Sequence, residues 1–259
     1  MPDLTLLRLL RRMHVFLRLP VIKALHRRHG PRLSLSPEQF RGKRVLILGP
    51  ARTLAEDLQT VDSSRYDLMV KMNNGLDTPV PLPLGQELRC DILFHCATRD
   101  ARPITKAKLQ QAGVELLVHR TPTKSGFLQT LLLDAGFRGQ LQVRHIDWQQ
   151  HRDLAGQLGG ASPTTGLLAA CFFLGAPVAE VGIVGFTFFS TAYQPGYDDC
   201  VSSDAQSVCR IIEKGHHAPS AEAALLSRRI EAARDRGVVV TLGPKVEAAM
   251  QSCAARHAG

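Results

Sequence analysis

The sequence has few aromatic residues and no paired cysteine motif. Aromatic side chains make up 5% of the 259 residues, so the chain has little of the stacking surface that binders of single-stranded nucleic acid place under the bases. Its six cysteines include no CxxC pair and no spacing typical of a zinc site. We interpret them as reduced thiols, which favours a cytosolic compartment.

Acidic residues are scarce at the start of the chain and ordinary elsewhere. The formal net charge is +9, yet eight Lys or Arg and a single acid lie before residue 34, which leaves 24 basic and 22 acidic residues in the remainder. The body of the protein is therefore nearly neutral and lacks the basic surface that nucleic-acid binding requires. A nucleic-acid binder is the least favoured class.

The chain also lacks an uncharged apolar run of the roughly 20 residues that span a bilayer. Residues 1–32 instead interleave Leu, Met, Phe, Val and Ile with Arg, and Pro20 is expected to kink or divide the helix. Such a basic amphipathic segment suits the surface of an anionic membrane, where each cation contributes about 1 kcal/mol. Two alternatives are a helix that packs on its own domain or a partner, and a mitochondrial presequence.

Residues 33–259 are predicted to form a single α/β domain, because 44% hydrophobic content is enough for one sizeable core. Apolar on both faces, the strands favour a mainly parallel, Rossmann-like sheet with helices on both faces. The predicted strands are RVLILG, YDLMVKMN, CDILFHC, VELLVHRT, LQVRHID, VGIVGF and VVVTLG, and the predicted helices are ARTLAEDLQ, KAKLQQAG, GFLQTLLLDAG, the segment after Pro163 and SAEAALLSRRIEAARDRG.

Ligands of such sheets bind beyond the carboxyl ends of the strands, so the residues that follow each strand are candidates. Gly49 ends the first strand in LILGPARTL, where a glycine and a helix start make a weak candidate phosphate cradle. Asn73 and Asn74 follow the second strand in KMNNGL and offer amide donors and acceptors. Asn-Gly is also an ordinary turn sequence.

The stretch SPTTG places three hydroxyls around a proline at a helix start. Either Ser162 or Thr164 can cap the helix, and Pro163 suits its first turn. Thr165 and Gly166 would let a ligand approach the backbone. Because a cap needs one hydroxyl, the extra ones indicate a polar ligand such as a phosphate or a ribose.

Four segments together resemble the motifs of sialyltransferases. LILGPARTL with VDSSRYDLMVKMNNG is similar to the long donor-binding motif, and SPTTGLLAACFFLGAPVAEVGIVGF is similar to the short motif. GYDD loosely matches the third motif, and HHAPSAE has the His-x4-Glu spacing of the last. Their order and separations also agree, and they cover residues 44 to 222.

The resemblance implies an inverting transferase that takes an acidic sugar, sialic acid or Kdo, from a CMP-activated donor without a cofactor or a required metal. It also implies a sialyltransferase-type variant of the glycosyltransferase A fold. Asn73 and Asn74 would contact the donor, and the CMP site would be lined by Thr164, Thr165 and Gly166. His217 would be the general base, since an imidazole can accept a proton near neutral pH.

Tyr193 and Tyr197 are candidates to stabilise the leaving phosphate. Other interpretations of these segments stay open. His217 could be a solvated loop residue with His216 as the base, and the two tyrosines could simply pack. Glu222 could be a first-turn acid favoured by the helix dipole. Finally, Asp198 and Asp199 could form a solvated turn, and His95 could face the site or fill the core.

The sequence departs from the family pattern in its first loop. Gly-Pro-Ala-Arg stands where relatives usually have Asn with a second Gly or Ser, so Arg52 would have to replace an amide contact by charge. The cysteine pair of animal members is absent, which fits a bacterial-type enzyme in the cytoplasm. We expect it to be peripheral on the inner membrane face, with a saccharide or glycolipid as acceptor. The alternative is a noncatalytic nucleotide-binding protein.

Overall fold

The computed structural model describes residues 2–78, 89–98, 102–121, 123–198 and 200–255. Seven parallel strands form one sheet in the order β5-β4-β3-β2-β1-β6-β7. The strands are β1 (Arg44–Leu48), β2 (Leu68–Met72), β3 (Ile92–His95), β4 (Leu116–Arg120), β5 (Gln142–Ile146), β6 (Glu180–Val184) and β7 (Val239–Leu242). All seven predicted strands and the parallel α/β class are confirmed.

Ten α-helices accompany the sheet in the described part of the chain. They are α1 (Leu4–Arg12), α2 (Val15–Leu33), α3 (Leu54–Asp57), α4 (Lys106–Gln111), α5 (Phe127–Gly136), α6 (Trp148–Gln157), α7 (Thr165–Gly175), α8 (Asp204–Lys214), α9 (Pro219–Asp235) and α10 (Pro244–Ala255). Four predicted helices are confirmed as α4, α5, α7 and α9. The helix predicted in ARTLAEDLQ is reduced to the single turn of α3.

Alternation along β1 divides the core between the two faces of the sheet. Val45 and Ile47 pack with α7 and α9 on one face. Leu46 and Leu48 pack towards α3 on the other face, where α4 and α5 cover the neighbouring strands. Eight of the eleven residues of α7 are buried, so this helix forms the centre of the larger layer.

The N-terminal segment packs on the domain through one face. Leu7 and Leu10 of α1 and Ile22 of α2 are buried against Phe127 and Leu131 of α5. This observation matches the alternative in which the helix packs on its own domain. The helix passes through Pro20, and the break falls earlier, between α1 and α2. The predicted division at Pro20 is therefore wrong.

The opposite face of the segment is exposed and apolar. Leu9, Phe16 and Leu17 are 59%, 77% and 66% exposed. Across the described residues, no helix combines the length and the apolar character needed to cross a bilayer.

The order of the strands reverses at β1, which lies between β2 and β6. A crevice is expected beyond the carboxyl ends of the strands at such a switch point. Gly49 and Gly185, the residues that follow β1 and β6, are in close backbone contact there. A Cβ on Gly49 would overlap the carbonyl group of Gly185, and Gly185 itself has a φ of +70°. The two glycines bring the ends of these strands together at the base of the crevice.

Candidate active site

A cavity of about 420 Å³ lies in this crevice. The predicted site residues that line it are Asn73, Asn74, Thr164, Thr165, Gly166, Tyr193, Tyr197, His216 and His217. They come from the ends of β2 and β6, the start of α7 and the loop before α9. Residues far apart in the sequence thus converge on one cleft.

His217 is held in a defined orientation. Its Nδ1 lies 2.6 Å from the carbonyl oxygen of Ser162. Because a carbonyl can only accept, Nδ1–H is the donor, and in the neutral ring the lone pair is on Nε2. The ring also stacks on Phe189, with centroids 5.9 Å apart and planes inclined by 18°. This is the tautomer that a general base acting through Nε2 requires.

His216 differs from its neighbour in exposure. Its residue is exposed, whereas the side chain of His217 is only 16% exposed. The backbone carbonyl of His216 accepts a hydrogen bond from the N–H of Ser162 at 2.8 Å. Of the two histidines, His217 is the less exposed, and its ring is oriented by Ser162 and Phe189.

Backbone strain accompanies this arrangement. Phe188 and Phe189, in the loop after β6, have φ values of +48° and +63°. Bulky residues rarely adopt this left-handed region, and such strain is concentrated at functional sites. Here it places the ring of Phe189 against His217. This contact could not be predicted from the sequence, because the loop FTFFST has no periodicity.

Glu222 is buried in the first turn of α9, at 2% exposure. Its carboxylate accepts hydrogen bonds from the N–H of Thr164 at 2.9 Å and from the hydroxyl of Thr164 at 2.7 Å. One of its oxygens lies 3.8 Å from Nδ1 of His217. Burial raises the pKa of Glu222 to about 7. Glu222 is therefore more than a first-turn acid, since it joins the start of α7 to the loop that carries the histidine.

Thr164 is the N-cap of α7. Its hydroxyl oxygen accepts from the N–H of Leu167 at 3.1 Å while its proton is donated to Glu222. Pro163 precedes the cap, so the prediction that it occupies the first turn is wrong. The hydroxyl of Thr164 is used by the protein itself. The first N–H groups of a helix have no intrahelical partner, and two of them belong to Thr165 and Gly166, which line the cavity.

Gly166 lines the cavity but is required by packing. A Cβ there would lie 2.7 Å from the ring of Phe186 and 3.0 Å from Sδ of Met72. Close packing of the helix on its neighbours therefore explains this glycine without any ligand.

The two asparagines after β2 have different surroundings. Asn73, with a φ of +47°, accepts the N–H of Cys96 on Oδ1 at 3.0 Å. Asn74 donates to the carbonyl of Tyr197 at 2.8 Å and accepts the N–H of Arg102 at 3.1 Å. Both ends of the Asn74 amide thus bind backbone groups. This supports a structural role for Asn74 over the predicted contact with a sugar donor.

Tyr193 and Tyr197 lie side by side in the cavity wall, with ring centroids 5.0 Å apart. Burial raises the pKa of Tyr193 to about 12 and the pKa of Tyr197 above its ordinary value. Both phenols are therefore protonated at neutral pH and can donate hydrogen bonds to an anion.

Arg120 is a site residue that the sequence reasoning missed. It is the last residue of β4, it lines the cavity, and it donates to the carbonyl of Pro163 at 2.9 Å. Its Nε is buried with no hydrogen-bond partner in the described part of the chain. The same attention to strand ends that selected Asn73 would have found this basic residue after the apolar run LLVH.

Gly49 and Arg52 are not among the residues that line the cavity. Gly49 lies beneath it and donates its N–H to Val184 at 2.8 Å. The guanidinium of Arg52 is paired with Asp204 at 2.6 Å in an exposed position. The position of Arg52 does not support the predicted contact with a donor.

His95 fills the core at 3% exposure, so the prediction that it either faces the site or packs is settled as packing. Asp198 lines the cavity and pairs with Arg210 at 3.0 Å, and is therefore not a freely solvated turn residue. Asp199 lies outside the described residues.

Several solved structures are similar to this one. The sialyltransferase CstII in complex with CMP has a TM-score of 0.49 at 14% identity, covering 77% of this chain and 80% of that chain. CstII from Campylobacter jejuni with the substrate analogue CMP-3FNeuAc has a TM-score of 0.46 at 12% identity, with coverage of 77% and 80%. A mammalian sialyltransferase in complex with Gal-beta-1-3GalNAc-ortho-nitrophenol has a TM-score of 0.48 at 13% identity, with coverage of 78% and 69%.

No family model and no curated protein sequence matches the chain. At these identities the likeness concerns the fold alone.

Proposed function

We propose that the chain transfers an acidic sugar from a CMP-activated donor to a hydroxyl of a saccharide acceptor. The observation that carries the proposal is the orientation of His217, whose Nε2 is the basic nitrogen of a ring held in the same cavity as Asn73 and the start of α7. A general base beside anion-binding groups is the arrangement that this transfer needs.

Anion-binding groups converge on the donor side of the cavity. Backbone N–H groups at the start of α7 favour a phosphate, and the guanidinium of Arg120 adds a positive charge. The protonated phenols of Tyr193 and Tyr197 add two hydrogen-bond donors. A CMP-activated acidic sugar carries a phosphate and a carboxylate, so it offers two anionic groups to this set.

The reaction is a single displacement. The acceptor oxygen attacks the anomeric carbon, the bond from that carbon to the phosphate oxygen breaks, and CMP leaves with the bonding electrons. Nε2 of His217 takes the acceptor proton, and the tyrosine hydroxyls and Arg120 stabilise the charge that develops on the phosphate. Attack from the face opposite the leaving group inverts the anomeric carbon. We expect no cofactor and no required metal ion.

The test is a panel of donors offered to the purified chain. CMP-sialic acid, CMP-Kdo, UDP-sugars and NAD are compared by thermal shift and by release of the free nucleotide, with and without saccharide acceptors. We expect stabilisation and CMP release with one or both CMP-sugars. A preference for NAD or UDP-sugars would overturn the proposal, and CMP binding without turnover would favour the noncatalytic nucleotide-binding alternative.

We further propose that the exposed face of α1 and α2 binds an anionic membrane, which would place the enzyme on the inner membrane face beside a lipid-linked acceptor. Leu9, Phe16 and Leu17 project there from helices rich in arginine. Apolar insertion and cationic attraction together are what a peripheral helix requires.

Point substitutions test this better than deletion, because deletion would uncover the cluster that packs on α5. Phe16→Ser with Leu17→Ser is expected to abolish pelleting with phosphatidylglycerol vesicles while the melting temperature stays unchanged. Val239→Ser, at another exposed apolar position (54% exposed), is the matched control. Pelleting that survives the double substitution, or that is equal with phosphatidylcholine vesicles, contradicts the proposal.

A further inference from the structure

A second cluster of polar side chains lies where α2 meets the carboxyl end of β5. His26 belongs to α2, His145 to β5, and Asp147 follows that strand as the N-cap of α6. One potential ligand atom of each of the three lies within 4.8 Å of the others. The closest pair is Nε2 of His26 and a carboxylate oxygen of Asp147, at 2.9 Å. Two imidazoles and a carboxylate thus face one point.

His145 has an unsatisfied atom in this cluster. The residue is 1% exposed, and its Nε2 has no hydrogen-bond partner among the described residues. Its Nδ1 lies 3.4 Å from the hydroxyl of Thr121. The backbone of Gly30 passes close to the ring, yet no atom there meets hydrogen-bond geometry with Nε2. A buried polar atom without a partner is rare in folded proteins and marks a place for a missing ligand.

We propose that His26, His145 and Asp147 bind one divalent transition-metal ion, with Zn²⁺ as the best match. Imidazole nitrogens and a carboxylate oxygen are ordinary zinc ligands, and hard cations such as Mg²⁺ prefer oxygen alone. The metal takes the place of the proton that now lies between His26 and Asp147. Since these two side chains are 31% and 20% exposed, water can reach the fourth position.

The surroundings already orient two of the ligands. The second oxygen of the Asp147 carboxylate accepts the N–H of Gln149 at 2.9 Å, which fixes the carboxylate at the start of α6. The contact of Thr121 with Nδ1 of His145 leaves Nε2 as the nitrogen for the metal. Partners of this kind hold the ligands of known metal sites and tune their affinity.

The site is structural in this proposal. None of its three residues lines the cavity that holds His217, so the expectation that transfer needs no metal is unaffected. A bound ion would join α2 to the end of β5 across 121 residues of sequence. Binding to the folded chain alone stabilises it by mass action. The metal would therefore fix the N-terminal helices to the domain.

The test adds Zn²⁺ alone to the chelator-treated full chain. We expect the melting temperature to rise by several degrees, a single zinc per chain by competition with a chromophoric chelator, and no rise with Mg²⁺. Co²⁺ in place of Zn²⁺ is expected to give the visible absorption of a four-coordinate site. Absence of any rise with Zn²⁺ in the wild type overturns the proposal.

Matched variants locate the ion. Asp147→Asn keeps a good N-cap while removing the anionic ligand, and His26→Gln removes an imidazole that is partly exposed. Both are expected to lose the zinc-dependent rise and at least about tenfold in affinity, with the rise measured from each variant's own metal-free melting temperature. His29→Gln, on the same helix outside the cluster, should bind like wild type. Equal zinc stabilisation in Asp147→Asn and wild type, or an equal loss in His29→Gln, places any binding elsewhere and contradicts the proposal.

Discussion

Histidines occupy two contrasting regions of this protein. In the sheet, His95 of β3 and His119 of β4 are register partners, both buried, and burial lowers their pKa values to about 4 and about 3. At the mouth of the cleft, His217 lies in a loop with Nδ1 donating to a backbone carbonyl. The sheet keeps its histidines neutral and enclosed, whereas the loop orients one towards a cavity.

The difference lies in what surrounds the polar atoms. His95 uses Nδ1 to accept the N–H of Ala97 at 2.9 Å, so its polarity is consumed by the fold. Nδ1 of His217 instead donates its proton to the carbonyl oxygen of Ser162, so in the neutral ring the basic nitrogen is Nε2. A histidine near a strand end is therefore informative only when the partner of each nitrogen is known.

The largest effect is expected for His217→Ala. Loss of a positioned base is expected to reduce the transfer rate by about 10² to 10⁴, while His216→Ala should change it only slightly. CMP release from a CMP-sugar with a saccharide acceptor measures both variants. Full activity of His217→Ala, or an equal loss in His216→Ala, would show that the base is elsewhere.

The buried histidines of the sheet can be tested through the loss of stability at low pH. Burial lowers the pKa of folded His95 from its ordinary value of 6.5 to about 4. The stability that this group contributes is therefore present above pH 6.5 and is lost as pH falls towards 4. His95→Asn retains an acceptor for Ala97 but cannot be protonated. We expect the variant to lose less stability than wild type over that interval, by up to roughly 3 kcal/mol. Urea unfolding at several pH values measures it, and identical pH profiles would contradict the assignment.

Glu222, in the cleft, is expected to have the opposite effect of pH on stability. Burial raises the pKa of folded Glu222 from its ordinary value of 4.5 to about 7. Its contribution to stability is therefore present at low pH and is lost as pH rises from 4.5 through 7. The Glu222→Gln variant has no carboxyl group to ionise, so it does not lose stability as pH rises. Its amide forms weaker hydrogen bonds with Thr164 than a carboxylate does. We expect a net gain on the order of 1 kcal/mol above pH 7 relative to wild type. The prediction is contradicted if the stability of the variant relative to wild type is lower at pH 8 than at pH 5.

The smallest effect is expected for substitution of Arg52, which does not line the cavity. Its exposed ion pair with Asp204 is worth about 0 to 1 kcal/mol, and its position gives it no contact with the cavity. Arg52→Ala should therefore leave CMP-sugar turnover within about twofold of wild type. A large rise in KM for the donor would restore the sequence-based prediction that Arg52 binds the phosphate.

The strands could be predicted because each is a short apolar run bounded by Gly, Pro or polar residues. The helix α6 carries little apolar periodicity in WQQHRDLAGQ, and sequence reasoning missed it. It also missed α8, although that helix is amphipathic, and α10. Pro20 lies within α2 although local preference argued for a break, because the helix is held by packing on α5. Tertiary contacts decided these cases.

The site was predictable where residues follow strands or cap a helix, as at Asn73 and Thr164. Partners across the fold were not. Nothing in the sequence indicates that Glu222 accepts two hydrogen bonds from Thr164, 58 residues away, or that Phe189 lies against His217. Such pairings depend on where distant segments pack, and a single sequence does not report that.

The contact between Gly49 and Gly185 bears on how this protein tolerates mutation. Alanine at Gly49 has no room unless the ends of β1 and β6 separate, which would widen the base of the cavity. A saturation survey should therefore find Gly49 as intolerant as a catalytic residue, although it does not line the cavity. If no other residue is tolerated at position 49, the reason would be the close spacing of the two strands and not contact with a substrate.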